Sequence, residues 1–249
     1  MNDKDCKDNF KKKINQLCAV CTKKVLFAQS LLNHSYWNTE DSLRHHEARL
    51  ICLNKVFPKI PDLEQYRPIV VASPVIKFLE GYLTPSLNLW MRSSMTKNGY
   101  GFRPGRSIED ARLFALKTLT EHRVNKRPVY AIFFDISSAY DNVDRKLLRK
   151  LLREFKVWQE DQIMLWEWIA TNQQIRIGNE RAHCNNGLPQ GSLVAPGLWN
   201  VHMQPLALDY DKLDKEISCS IKFADDLLAL TTDIEMAKLM VSIFEKWCR

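Results

Sequence analysis

Ile217-Ser218-Cys219-Ser220-Ile221-Lys222-Phe223-Ala224-Asp225-Asp226-Leu227-Leu228-Ala229-Leu230 is the stretch whose reading decides the fold. One apolar run leads into two adjacent aspartates and a second leads away, which reads as two strands joined at an acidic tip. Burying two neighbouring carboxylates there is costly unless a positive charge compensates them. A divalent cation does so best, and Mg2+ takes oxygen ligands, commonly one or two carboxylates plus substrate phosphates. The β-branched and aromatic run Val129–Phe134 also ends in an aspartate, Asp135. If these strands lie side by side, Asp135, Asp225 and Asp226 converge on one point. An isolated Asp-Asp pair is otherwise an ordinary turn.

The flanking sequence supplies the other elements. Ser107 with Asp110 opens a helix to about His122 in a weak capping-box pattern. Leu147, Leu148, Leu151, Leu152 and Phe155 recur at helical spacing. Gln174–Ile177 and Arg181–His183 flank Gly178-Asn179, which predicts a hairpin. Pro196 starts a helix, and Thr232 with Glu235 caps a last one. Upstream, Pro58 and Pro61 punctuate a loop between Ile51–Phe57 and Ile69–Val71, which fits another β-hairpin. Helices are expected over Asp41–Leu50 and over Asn9–Ser30. The lysines of the latter (Lys11, Lys12, Lys13, Lys23, Lys24) suit a solvated face or phosphate contact. Strands and helices do not alternate regularly, so the expected class is α+β, an antiparallel sheet with helices on one face.

The 249 residues suffice for one large domain or two small ones. A formal charge of +7 points weakly toward a polyanionic partner. No apolar run approaches the ~18 residues of a membrane span, so no membrane partner is expected. Seven cysteines with no secretory signal ahead of them read as reduced thiols of an intracellular protein, and nothing separates nucleus from cytoplasm. Cys18-Ala19-Val20-Cys21 has zinc-ligand spacing but lacks a second pair. His45-His46 reads as part of a polar helix face.

Five blocks in order resemble reverse transcriptases, most closely those of non-LTR retrotransposons and mobile group II introns. They are Tyr66-Arg67-Pro68-Ile69, Tyr100-Gly101-Phe102-Arg103-Pro104-Gly105-Arg106-Ser107, Phe134-Asp135-Ile136-Ser137-Ser138-Ala139-Tyr140-Asp141, Gly187-Leu188-Pro189-Gln190-Gly191-Ser192 and Phe223-Ala224-Asp225-Asp226. The resemblance implies a right-hand polymerase with fingers and palm, the antiparallel palm sheet backed by helices. It implies that Asp135 and Asp225 bridge two Mg2+ ions, which Mn2+ can replace, with Asp226 in support. By the same resemblance, the ring of Tyr140 packs under the incoming sugar and excludes a 2′-hydroxyl. Gln190 and Gly191 brace the nucleotide. Arg67, and less securely Lys59, hold its triphosphate. Arg103 and Arg106 contact the template backbone.

The implied partners are an RNA template, a DNA primer and dNTP. The family pattern continues with a further palm motif, a primer-gripping hairpin and a helical thumb, whereas this chain stops at Arg249. The expected organisation is therefore a helical extension over 1–50, fingers over 51–128 and an incomplete palm over 129–249. A thumb is expected to be absent, and a separate thumb or endonuclease-bearing chain is an expected partner. Two alternatives stand beside this reading. One is a catalytically silent, nucleic-acid-binding relic. The other is an RNA-dependent RNA polymerase, which more often carries a polar residue where Tyr140 sits and Gly-Asp-Asp where this chain has Ala224-Asp225-Asp226.

Overall fold

The computed structural model describes residues 46–60, 62, 65–177, 179–183 and 186–249. In chain order the elements are β1 (Glu47–Asn54), β2 (Tyr66–Val71), α1 (Pro74–Ser93), α2 (Ile108–Val124), β3 (Tyr130–Phe134), α3 (Arg145–Glu154), α4 (Glu160–Asn172), β4 (Gln174–Ile177), β5 (Glu180–His183), α5 (Ala195–Asp211), β6 (Ser218–Phe223), β7 (Asp226–Thr231) and α6 (Ile234–Cys248). The strands form two sheets, ordered β2-β1-β4-β5 and β3-β7-β6. The chain divides into two compact units. One holds residues up to Tyr82 with Met164–Asn185, and the other holds Leu83–Ile163 with Asn186–Arg249. The contacts therefore do not divide along the expected line between residues 128 and 129.

In the first unit, β1 runs antiparallel to β2, from Asn54 opposite Tyr66 to Arg49 opposite Val71. It also runs parallel to β4, with Glu47 opposite Gln174. The expected upstream hairpin is present, but its first strand starts at Glu47 and stops at Asn54. The helix expected over Asp41–Leu50 is corrected at Glu47–Leu50, which is strand. Partners on both sides of β1 satisfy its backbone polar groups, and that long-range pairing overrides local propensity. Glu47 adds ion pairs to Arg176 on β4 and Arg181 on β5. His46 is not on a polar helix face. It is buried, sits edge-on to Trp168 at 4.3 Å, and its carbonyl accepts from Gln174 N–H. The helix expected over Asn9–Ser30, its lysines, Cys18, Cys21 and His45 lie outside the described residues.

In the second unit β7 is the central strand, between β3 and β6. Alternation sends successive side chains of this sheet to opposite faces. Ile221 and Leu230 on one face pack with Tyr100 and with Ala111 and Phe114 of α2. On the other, Ser220, Lys222 and Leu227 border Met203, Leu206 and Tyr210 of α5. Phe134 of β3 stacks on Phe244 of α6 at 4.3 Å. Helices thus cover both faces, not one as expected: the central strand β7 is apolar on both, with Leu228 and Leu230 on one face and Leu227 and Ala229 on the other, although β6 turns Ser218, Ser220 and Lys222 toward α5.

The helix starts follow their caps. Ser107 Oγ accepts from Asp110 N–H and the Asp110 carboxylate accepts from Ser107 N–H, so the capping box is complete. The Ser107 hydroxyl, which donates to the Asp110 carboxylate at 2.9 Å, and then the Ser107 N–H hold that carboxyl below its ordinary pKa. In α3 the periodicity buries Leu148, Leu151 and Leu152 but leaves Leu147 largely exposed. The cap of α6 is Asp233, which accepts from Met236 N–H, and not Thr232. Thr232 N–H is instead committed to Ile217 O at 2.9 Å, which prolongs the β6–β7 ladder.

Candidate active site

The register of the three-stranded sheet sets the site. Phe223 pairs with Asp226, and Phe134 pairs with Leu227. Asp135 is therefore one residue beyond the last β3–β7 pair, at the same sheet end as Asp225 and Asp226. The strand beside β3 is β7 and not β6. All three aspartates are exposed. Ala224, which precedes them, has φ +55°. A left-handed alanine costs about 1 kcal/mol or more, so the surroundings must hold this turn.

Two neighbours hold it. Trp199 Nε1–H on α5 donates to Ala224 O at 2.9 Å. The backbone of Gly101 lies against the turn so closely that a Cβ there would stand 2.0 Å from Ala224 N. Asn200, next to Trp199, donates from Nδ2 to Gly101 O at 2.9 Å. Tyr100 N–H donates to Lys222 O, and Lys222 N–H to Asn98 O, which bind the loop to β6. Lys222 is itself buried, and burial lowers its pKa to about 7.

Tyr140 adjoins the same turn. Its ring stacks with that of Trp199, centroids 5.9 Å apart and planes 20° apart. Burial and then the negative charge of Asp225 raise its hydroxyl pKa. Tyr140 O accepts from Leu188 N–H at 2.7 Å, and Gly187 N–H donates to Val143 O at 3.2 Å. Gly187 has φ +72°, and a Cβ there would meet the carbonyls of Tyr140 and Asp141 at 2.7 Å. Arg145 Nε–H donates to Gly187 O at 2.8 Å. The segment carrying Gln190 and Gly191 is thereby stitched to the one carrying Asp135 and Tyr140. Gly191, at φ +115°, adopts backbone that side chains avoid, and Ser192 Oγ accepts from Val194 and Ala195 N–H at the start of α5.

The two expected template residues differ. Arg103 turns inward and donates to Thr96 O at 2.7 Å and Gly99 O at 3.3 Å, with a longer contact to Arg92 O. Burial lowers its pKa. Its guanidinium braces the loop after α1. Arg106 is exposed, with its guanidinium 5.5 Å from the centroid of the Tyr100 ring. Arg67 on β2 and Lys59 in the β1–β2 loop are exposed residues of the first unit.

Among the described residues, no three Asp, Glu, His or Cys side chains are gathered closely enough to hold a metal ion alone. The expected three-carboxylate cluster is thus not preassembled: the strand ends converge, the carboxylates do not. Like charges without a counter-ion repel, which favours this spacing. The donor set still fits a hard divalent cation. It offers exposed anionic oxygens at one sheet end, and such ions are completed by substrate phosphates.

Sequence reading missed Trp199, Asn200 and Arg145. Each acts through a contact remote in sequence. The one available signal was Trp199-Asn200 shortly after Pro196, a tryptophan and an amide that need partners if buried.

The family model described as "Reverse transcriptase (RNA-dependent DNA polymerase)" matches residues 57–249. Protein YkfC of Escherichia coli is 34% identical over 102 residues, 41% of this chain and 26% of that protein. The Pol polyprotein from type-1 retrotransposable element R1 of Bradysia coprophila is 27% identical over 169 residues, 65% of this chain and 16% of its own length. The 115 kDa protein in element R1DM of Drosophila melanogaster is 27% identical over 158 residues, 59% of this chain and 15% of that protein. This chain therefore spans only about a quarter or less of these relatives. Among solved structures, apo telomerase from Candida tropicalis matches with TM-score 0.59 at 12% identity, over 80% of this chain and 40% of its own. Telomerase from Candida albicans, in complex with a fragment of telomeric RNA, matches with TM-score 0.60 at 12% identity, over 83% and 40%.

Proposed function

This chain belongs to the reverse transcriptase family, and on that premise we propose that it is of non-LTR retrotransposon type and carries the nucleotidyl-transfer centre of an RNA-directed DNA polymerase. The observation that supports this most is the β3-β7-β6 register, which sets three aspartates at one sheet end beside Tyr140. The three-stranded sheet is the palm and the β1–β2 hairpin belongs to the fingers. The substrates are dNTP and a DNA primer on an RNA template.

The family uses divalent metal ions. Asp135 and Asp225 would hold two Mg2+ or Mn2+ ions, with Asp226 in support. Such ions, when bound, acidify the primer 3′-hydroxyl and neutralise the pyrophosphate leaving group. The protein's own part is positioning and charge. The Tyr140 ring, backed by Trp199, lies under the sugar and leaves no space for a 2′-hydroxyl. Gln190 and Gly191 flank the nucleotide. Arg67 and Lys59 take the triphosphate, and the exposed Arg106 takes a template phosphate. Arg103 supports that loop from inside.

The test is dNTP incorporation into a DNA primer annealed to RNA, with Mg2+ or Mn2+, beside Asp225→Asn. The variant is expected to lose roughly 10²–10³-fold in rate while staying folded. Equal incorporation by both proteins would remove Asp225 from the chemistry. A folded wild-type protein that binds the duplex without incorporation would favour the relic.

A further inference from the structure

We infer that Trp199 and Asn200 are positioning residues, one orienting the Asp225 carboxylate and the other setting the Gly101 loop against it. The inference rests on the polymerase reading above and deepens it. The peptide joining Ala224 to Asp225 is planar, so whatever fixes the Ala224 carbonyl also fixes the plane that carries the Asp225 Cα. The indole N–H of Trp199 makes that bond at 2.9 Å. Trp199 is almost fully buried, at 1% exposure, which makes it a rigid reference for the left-handed turn at Ala224.

The same indole backs the ring of Tyr140, with centroids 5.9 Å apart. The nucleotide-side ring and the metal-side carboxylate are thus both referenced to one side chain. Asn200, fully buried, adds the second arm through Gly101 O. Gly101 in turn abuts Ala224 N, so the loop carrying Arg106 and the turn carrying Asp225 move together. Adjacent residues on a helix point about 100° apart, which lets one turn of α5 reach both segments. Phenylalanine at position 199 would keep a ring against Tyr140 but lose the donor. Leucine at 200 would keep volume but lose the amide.

The experiment compares wild type, Trp199→Phe, Asn200→Leu and Asp225→Asn as full chains. Mn2+ affinity is measured by calorimetry. Amide hydrogen exchange is followed over Phe223–Leu227 and over β1, which packs on β2 and β4, as a control. Trp199→Phe is expected to weaken Mn2+ binding roughly tenfold, as loss of a group orienting a ligand does. Exchange should rise over Phe223–Leu227 and stay unchanged in β1. Asn200→Leu should raise exchange over Tyr100–Phe102 as well. In primer extension Trp199→Phe should lower kcat with little change in KM for dNTP. Unchanged Mn2+ affinity and unchanged local exchange in Trp199→Phe would overturn the inference. So would exchange that rises equally in β1, which would make Trp199 a core residue only. If wild type and Asp225→Asn bind Mn2+ alike, the metal-site reading fails instead, and the local exchange still judges Trp199 by itself.

Discussion

The turn at Ala224 and the loop between β1 and β2 both carry residues proposed to act on metal and phosphate, and they are built in opposite ways. The Ala224 turn is held from outside by Trp199 and by the Gly101 backbone that Asn200 grips. The β1–β2 loop is held by itself: Asn54 Nδ2 donates to Lys59 O, Val56 N–H to Asn54 Oδ1, and Lys55 N–H to Gln65 O. Phe57 and Ile60 on it are 83% and 95% exposed. A carboxylate that must orient a metal ion needs sub-ångström placement, which long-range bonds provide. A cation that captures a flexible triphosphate needs reach more than fixity. Changes near the turn should therefore act through geometry, and changes in the hairpin through binding alone.

Gly101→Ala should give the largest effect. The added Cβ would stand 2.0 Å from Ala224 N and 2.9 Å from its Cα, both backbone atoms that cannot swing aside. The turn must move, and a shift of about 1 Å in an active site can cost on the order of a hundredfold in rate. Primer extension with this variant, with folding followed by circular dichroism, makes the check. Activity within twofold of wild type would show that the turn tolerates displacement, and the contrast between the two regions would collapse.

Acid should loosen the braced region next. His202 on α5 packs against Trp199 at 5.6 Å and Trp247 at 5.3 Å. Burial lowers its pKa from 6.5 to about 4, opposed by Asp144 and assisted by Lys222. As pH falls through 6.5 the unfolded imidazole takes up a proton and the folded one does not. Between about 6.5 and about 4 the unfolded state binds more protons, so stability falls with pH, by on the order of 3 kcal/mol from this group. Urea unfolding at pH 7 and pH 4.5 should show a steeper loss for wild type than for His202→Gln. Parallel slopes would mean that His202 protonates without penalty.

Much of this architecture is legible in the sequence, and the illegible parts share one cause. The Ser107–Asp110 cap, the β4–β5 hairpin and the aspartate-terminated strands rest on local spacing or on apolar runs, and they stand as read. The stretch Glu47–Leu50 looks helical until β4 pairs with it from far along the chain. Thr232 and Asp233 are equally placed as caps, and only the bond from Thr232 N–H to Ile217 O decides between them. Arg103 and Arg106 are indistinguishable by type and spacing, yet one faces backbone carbonyls and the other solvent. The bracing pair Trp199-Asn200 has meaning only once Ala224 and Gly101 are beside it.

Tyr140→Val separates the two duties of the Trp199 stack. The smaller side chain opens space at the sugar while leaving the Trp199–Ala224 bond in place. Discrimination between deoxy- and ribonucleotides should fall by roughly tenfold or more, the scale on which a pocket separates substrates differing by a small group. Incorporation rates at matched concentrations give the ratio, and Mn2+ affinity should stay near wild type. An unchanged ratio would leave Tyr140 as packing for Trp199 alone.

The smallest effects should come from the hairpin, and they should be of a different kind. Arg67 and Lys59 are exposed, so neither substitution removes a packed group. Arg67→Ala should raise KM for dNTP about tenfold, the scale of one lost charge-assisted contact. Lys59→Ala should do the same more weakly, because an ammonium on a flexible stem binds phosphate as a point charge and not through a planar fork. Both variants should keep unfolding free energies within about 0.5 kcal/mol of wild type, as surface substitutions do. Because the contact is made to substrate and transition state alike, kcat should barely change. The kinetic split is the decisive readout. If Arg67→Ala lowers kcat as strongly as it raises KM, the hairpin takes part in transition-state geometry after all. If neither parameter moves, Arg67 does not reach the triphosphate, and its assignment fails while that of the braced turn stands.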